Sequence, residues 1–122
     1  MMDRVGKIAE LLFMSRTMAH KAHLAVSGGG SYAAHNALGS YYGTVGDMAD
    51  SLVEAYQGKY GICEIASMDE KGDISDPLGM LESHLKMYQN LAKSIDDRYL
   101  QNIADEIEAL LYSTIYKLKF LK

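Results

Sequence analysis

Four residues of this 122-residue chain have the types and spacing that metal chemistry needs: His23, His35, Asp50 and Glu54. Imidazole nitrogens and carboxylate oxygens on helix faces are the usual donors for iron or zinc. His23 lies about one helical turn before a Ser-Gly-Gly-Gly-Ser stretch at 27–31, and His35 about one turn after it. In an antiparallel hairpin the two rings then sit at the same height and can share one metal. Asp50 and Glu54 are four residues apart and point the same way along one helix face. Asp50, however, is fifteen residues beyond His35. At ~1.5 Å per residue that is roughly 22 Å along a straight helix, against metal–ligand bonds of about 2 Å. One chain cannot bring both pairs to one ion. If they meet, the acids belong to a second chain running antiparallel to the first.

His20 and Asp47 are candidate additions. Each lies one turn from a member of the set, His20 before His23 and Asp47 before Asp50. His20 reads first as a surface residue, and His84, alone on a later helix, reads as structural. No nucleophile–base pair, phosphate loop or CxxC pattern is present. The DEKGD run at 69–73 lacks the ligand register of a calcium loop.

Four helical segments position these residues in a single domain, 1–122. The first spans 2–26, with Val5, Ile8, Leu11, Leu12, Met18 and Ala22 on one stripe and Asp3 as a cap. Three glycines break it, and Ser31 is the expected N-cap of the second helix, 32–56. Leu38, Tyr41, Val45, Met48, Leu52 and Tyr56 form that helix's stripe. Gly39, Gly43 and Gly46 lie mid-helix, where each costs up to ~1 kcal/mol against alanine. They kink the helix or let another backbone approach. A two-fold axis near Gly43 would carry His35 of one chain towards Asp50 and Glu54 of the other. A long connector follows, with room for a short helix or strand at 62–66. Asp76 and Pro77 start a third helix, 77–95. The fourth runs over 98–120, with Lys117, Lys119 and Lys122 suiting its C-terminal dipole. Two short connections and one long one give an all-α, ferritin-like four-helix bundle with a crossover between helices 2 and 3.

At the histidines and acids the sequence resembles the Dps-type miniferritins. Their ferroxidase pattern is a histidine, a second twelve residues on, an aspartate fifteen later and a glutamate four after that. His23, His35, Asp50 and Glu54 match it without a gap, and Gly28 matches in the hinge. The close match covers 23–54. The family usually carries an aspartate where this chain has Gly39, and a tryptophan where it has Leu24. The resemblance implies iron as the substrate metal, with zinc as an alternative occupant. It implies an inter-subunit site at a two-fold dimer, a dodecameric cage, storage of the oxidised iron, and removal of peroxide. Asp47 can offset the carboxylate missing at Gly39. If Gly39 is simply a gap, Gly39→Asp raises iron stoichiometry. If it is a close contact, the same change disrupts. The alternative function is a non-catalytic helical assembly protein with a degenerate or structural metal site.

Net charge is −4 with no basic tail, which argues against DNA binding. The single cysteine, Cys63, excludes an intramolecular disulfide and suits a reducing compartment. No apolar run reaches the ~18 residues that span a membrane, and the N-terminus has no signal-peptide pattern. A cytoplasmic protein is expected, in the host cytoplasm if the source is viral.

Overall fold

Asp76 and Pro77 start a helix where their chemistry says they should. The Asp76 carboxylate accepts from the Gly79 N–H at 3.1 Å, and Pro77 occupies the first turn, where no N–H is needed. In the computed structural model, which describes residues 2–122 with side chains from Arg4 onward, the chain forms four α-helices. They are α1 (Met2–Ala25), α2 (Ser31–Tyr60), α3 (Pro77–Ala92) and α4 (Arg98–Phe120). The expected cap at Asp3 lies outside the described side chains.

Four boundaries differ from the sequence reading: α1 ends at Ala25 in place of 26, α3 ends at Ala92 in place of 95, and both ends of α2 move. Ser31 is not the N-cap of α2 but its first residue. Gly30 takes the cap position at φ +79° with no side-chain hydrogen bond, a left-handed conformation that glycine adopts without a Cβ penalty. The far end of α2 runs on to Tyr60. There Lys59 and Tyr60 both reach Asp97, the residue before α4, and Gly61 at φ +94° stops the helix. Asp97 therefore clasps two helix ends and makes no side-chain cap on α4.

The neighbours are α1 with α2 and α3, and α4 with α2 and α3; among the described residues the pairs α1–α4 and α2–α3 do not pack backbone to backbone. Every touching pair runs antiparallel. The parallel pairs lie on the diagonals, which is the consequence of a crossover in place of a second short turn. That crossover, 61–76, runs the length of α1 without helix or strand, so the short element allowed at 62–66 does not form. A 16-residue segment can span at most ~58 Å, well beyond the ~36 Å of a 24-residue helix. It is tied down in order. Its Glu64 carbonyl lies over Gly6, its Ala66 N–H donates to the buried Glu10 carboxylate at 2.9 Å, and its Glu70 pairs with Lys21.

The apolar stripes meet inside. Ile8, Leu11, Leu38, Tyr41, Leu52, Leu81, Tyr88, Leu100 and Ile107 are fully buried, each large apolar side chain contributing ~1.5–3 kcal/mol by leaving water. One polar chain crosses this core. His84 Nε2 donates to the Lys71 carbonyl at 2.8 Å, so Nδ1 is the acceptor for the Ser15 hydroxyl, also at 2.8 Å. Ser15 Oγ is then left to accept from Tyr41 at 2.7 Å. Three helices and the crossover are thus joined by hydrogen bonds whose direction is fixed at the carbonyl. Burial lowers the His84 pKa from its ordinary value and raises that of the Tyr41 phenol. The structural role read for His84 holds.

Candidate metal centre

The glycine hinge folds α2 back on α1 and brings His23, in the last turn of α1, beside His35, in the second turn of α2. Their rings stack, with centroids 3.7 Å apart and planes inclined by 19°. The matched height expected from counting residues across the hinge is what is found.

The hydrogen bonds of the two rings are reciprocal. His23 Nδ1 lies 2.7 Å from the His35 carbonyl oxygen, and His35 Nδ1 lies 2.8 Å from the His23 carbonyl oxygen. A carbonyl only accepts, so both Nδ1 atoms carry the proton. Both Nε2 atoms are left with their lone pairs. Among the described residues neither Nε2 has a hydrogen-bond partner, and both residues are only half-buried. A carbonyl on one ring nitrogen and an open lone pair on the other is how proteins prepare imidazole for a metal.

The stack corrects one expectation. An imidazole lone pair lies in the ring plane, and two nearly parallel planes 3.7 Å apart do not converge within the ~2 Å of a metal–nitrogen bond. As placed, each ring faces a position of its own, and the two do not share one ion.

Gly39 explains where the His23 ring rests. A Cβ at position 39 would lie 3.1 Å from Cε1 and 3.2 Å from Nδ1 of that ring. The ring fills the space that a side chain would take. Gly46 plays the same part for Arg16, whose Nη1 would be 3.0 Å from an added Cβ, whereas Gly43 faces out with nothing of its own chain within 4 Å. The glycines do not break α2, which is continuous from Ser31 to Tyr60.

His20 is exposed but engaged. Its ring stacks on Tyr42 at 4.2 Å, and the Tyr42 ring meets the His23 ring edge-on at 5.3 Å. Sequence reading passed over Tyr42. Its signal was its place one turn beyond Gly39 on the same helix.

Asp47, Asp50 and Glu54 are all exposed on α2. Among the described residues no three His, Cys, Asp or Glu side chains of the single chain gather into a metal-holding group. His35 and the acids share α2, and the length of that helix keeps His35, with His23 beside it, apart from the acids.

A family model that includes all four residues matches 23–118, most of the chain. The chain belongs to DUF5856, a family of unknown function. No match is found among curated proteins or among solved structures. The matched DUF5856 region begins at His23 and so takes in the hinge, the whole of α2, the crossover and α3. No helix of the described residues is long and apolar enough to cross a membrane.

Proposed function

We propose that this protein oxidises ferrous iron at a site completed by a second copy, as the miniferritins it resembles do. The observation that carries the reading is the reciprocal bonding of His23 and His35. It fixes both tautomers and leaves two Nε2 donors, half-open to solvent, at the same level of the hairpin. Iron is the substrate here. Carboxylates favour the ferric product and imidazoles hold the ferrous ion. The two rings face separate positions, which suits two ferrous ions giving one electron each. One hydrogen peroxide takes those two electrons and two protons, and leaves as two waters.

The missing donors are Asp50 and Glu54 of the other copy. Around an axis at Gly43, antiparallel α2 helices place position 35 of one chain opposite 51 of the other, one residue from Asp50, since 35 and 51 lie equally far from 43. The same axis sets Asp47 of the second copy opposite Gly39, where the miniferritin pattern has its aspartate. Gly43 is open to solvent, so two helices can approach closely there. The resemblance extends the dimer to a twelve-subunit cage.

A mixing experiment tests the shared site. His35→Ala and Glu54→Ala each remove oxidation when alone. In the heterodimer one site carries both defects and the other carries neither. Mixed and refolded samples therefore regain part of the peroxide-dependent rise in ferric absorbance. A verified heterodimer as inactive as its parents would overturn the shared site.

The seat of His23 on Gly39 favours a second reading, a non-catalytic assembly protein in which an imidazole holds an inert zinc ion. Intact oligomer with zinc retained and no iron oxidation above buffer would select it.

A further inference from the structure

The outer face of α4 carries a second apolar feature, separate from the core. Tyr112, Tyr116 and Phe120 follow one another at four-residue intervals and are 52%, 53% and 64% exposed. Side chains four apart line one face of a helix, and the Tyr116 and Phe120 rings are 5.8 Å apart. Tyr112 is held in place, its hydroxyl accepting from Gln89 Nε2 at 3.0 Å. The charges on this face are divided along the helix. Asp105 and Glu106 precede the aromatic residues, and Lys117 and Lys119 flank their far end. A parallel copy of α4 would set like against like. An antiparallel copy sets acid against base.

We infer that the outer face of α4 is an isologous interface with a second copy of this chain, the two helices antiparallel about a two-fold axis at Tyr112. One register brings acid near base on both flanks. A two-fold axis pairs residues equally far before and after its centre and keeps each flank of one helix on the same flank of the other. With the centre at Tyr112, Asp105 meets Lys119 of the other copy on one flank. On the other, Glu106 falls opposite Leu118, one residue from Lys117 and within the reach of its long side chain. Tyr116 falls opposite the other copy's Glu108, one residue from the small, exposed Ala109, which leaves a hollow beside the ring. A large aromatic side chain buries about 150–250 Å², so three half-exposed rings from each copy supply roughly 600 Å². The four charge pairs bring the total near the ~1,000 Å² that a specific interface needs. The face is distinct from the exposed face of α2 and stands whether or not α2 pairs. A chain with both two-fold faces closes as a dihedral ring, the smallest a tetramer, or runs on as a filament, in place of the cage that the resemblance implies.

The test exchanges charges on purified full-length protein. One variant, D105K/E106K, has a wholly basic face; the other, K117E/K119E, has a wholly acidic one. Sedimentation velocity of each alone should give a mass at most half that of the wild type, with the helical circular dichroism unchanged. The two variants mixed should form a 1:1 complex that regains the lost mass, and the quadruple variant should regain it alone. An unchanged mass for either folded variant overturns the interface, as does a mixture of folded variants that fails to associate. A fall in mass without recovery in the quadruple variant also counts against it, since it means that the charges are not paired with each other.

Discussion

Gly39→Ala puts a methyl group against the ring of His23, and the structure sets the size of the effect. The new Cβ would stand 3.1 Å from Cε1 and 3.2 Å from Nδ1, so the ring must move by a few tenths of an ångström or leave. On its other face it is packed against His35 at 3.7 Å, which gives it little room to slide. Two terms oppose each other. Alanine in a helix interior is favoured over glycine by up to ~1 kcal/mol. Losing the bond from His23 Nδ1 to the His35 carbonyl costs ~0.5–1.5 kcal/mol. Their sum is near zero. Gly43→Ala gains the same propensity with no neighbour of its own chain within 4 Å, so it should be more stable than wild type by about 1 kcal/mol. Urea unfolding of dilute protein, where association contributes nothing, measures the difference between the variants. Imidazole NMR measures the cause, as loss of the protected Nδ1 proton of His23 in the Gly39 variant only. Equal stabilisation by both substitutions, with that proton intact, would refute the reasoning. Aspartate at 39 needs still more of the space that the ring fills, so Gly39→Asp should lower iron oxidation, where a simple gap would have raised it.

Stability should fall in mild acid through His84. Its pKa in the folded protein is lowered from the ordinary 6.5 by burial, so the unfolded chain takes up the proton first. The stabilisation is complete above about pH 6.5 and is lost as pH drops from there towards the folded value. The pH dependence of the urea midpoint should be flatter in His84→Gln than in wild type, and equal slopes would remove the assignment. With a net charge of −4, the protein should leave duplex DNA unshifted in a gel at ~0.15 M salt. A clear shift would reveal a basic surface created by assembly.

The parts of the fold that local chemistry dictates were readable in the chain. Asp76-Pro77 sets the start of α3 to the residue, and α4 falls on its expected bounds because its apolar stripe and basic last turn agree. The height match of His23 and His35 followed from counting residues across the hinge. Ser31 was assigned the cap because serine commonly serves there, but a left-handed Gly30 made a side-chain cap unnecessary. Less legible was whatever depends on residues distant in sequence. Gly39 looked like a missing ligand until the His23 ring was seen resting on it. Ser15 and Glu10 are polar residues on an apolar stripe. Their burial made sense only once His84 and the crossover supplied partners. The crossover has no periodicity, so nothing in its composition said along which helix it would lie.

Its course has a consequence for how the chain reaches a single topology. The hairpins α1–α2 and α3–α4 are each built from contacts between consecutive helices and can form early and separately. Two such hairpins can dock in more than one hand with much the same apolar surface covered. The linker bears on the choice between them, since it is seated along α1, most closely at Gly6, where a Cβ would overlap the Glu64 carbonyl oxygen. A residue with no side chain leaves a groove on one face of α1, and the backbone of the crossover occupies it. The course of the crossover is thus supported outside the hydrophobic core, at Gly6 together with its bonds to Glu10, Lys21 and His84. A bulkier residue at Gly6 should leave both hairpins intact while lifting the crossover from α1 at Glu64 and weakening the preference for how they join.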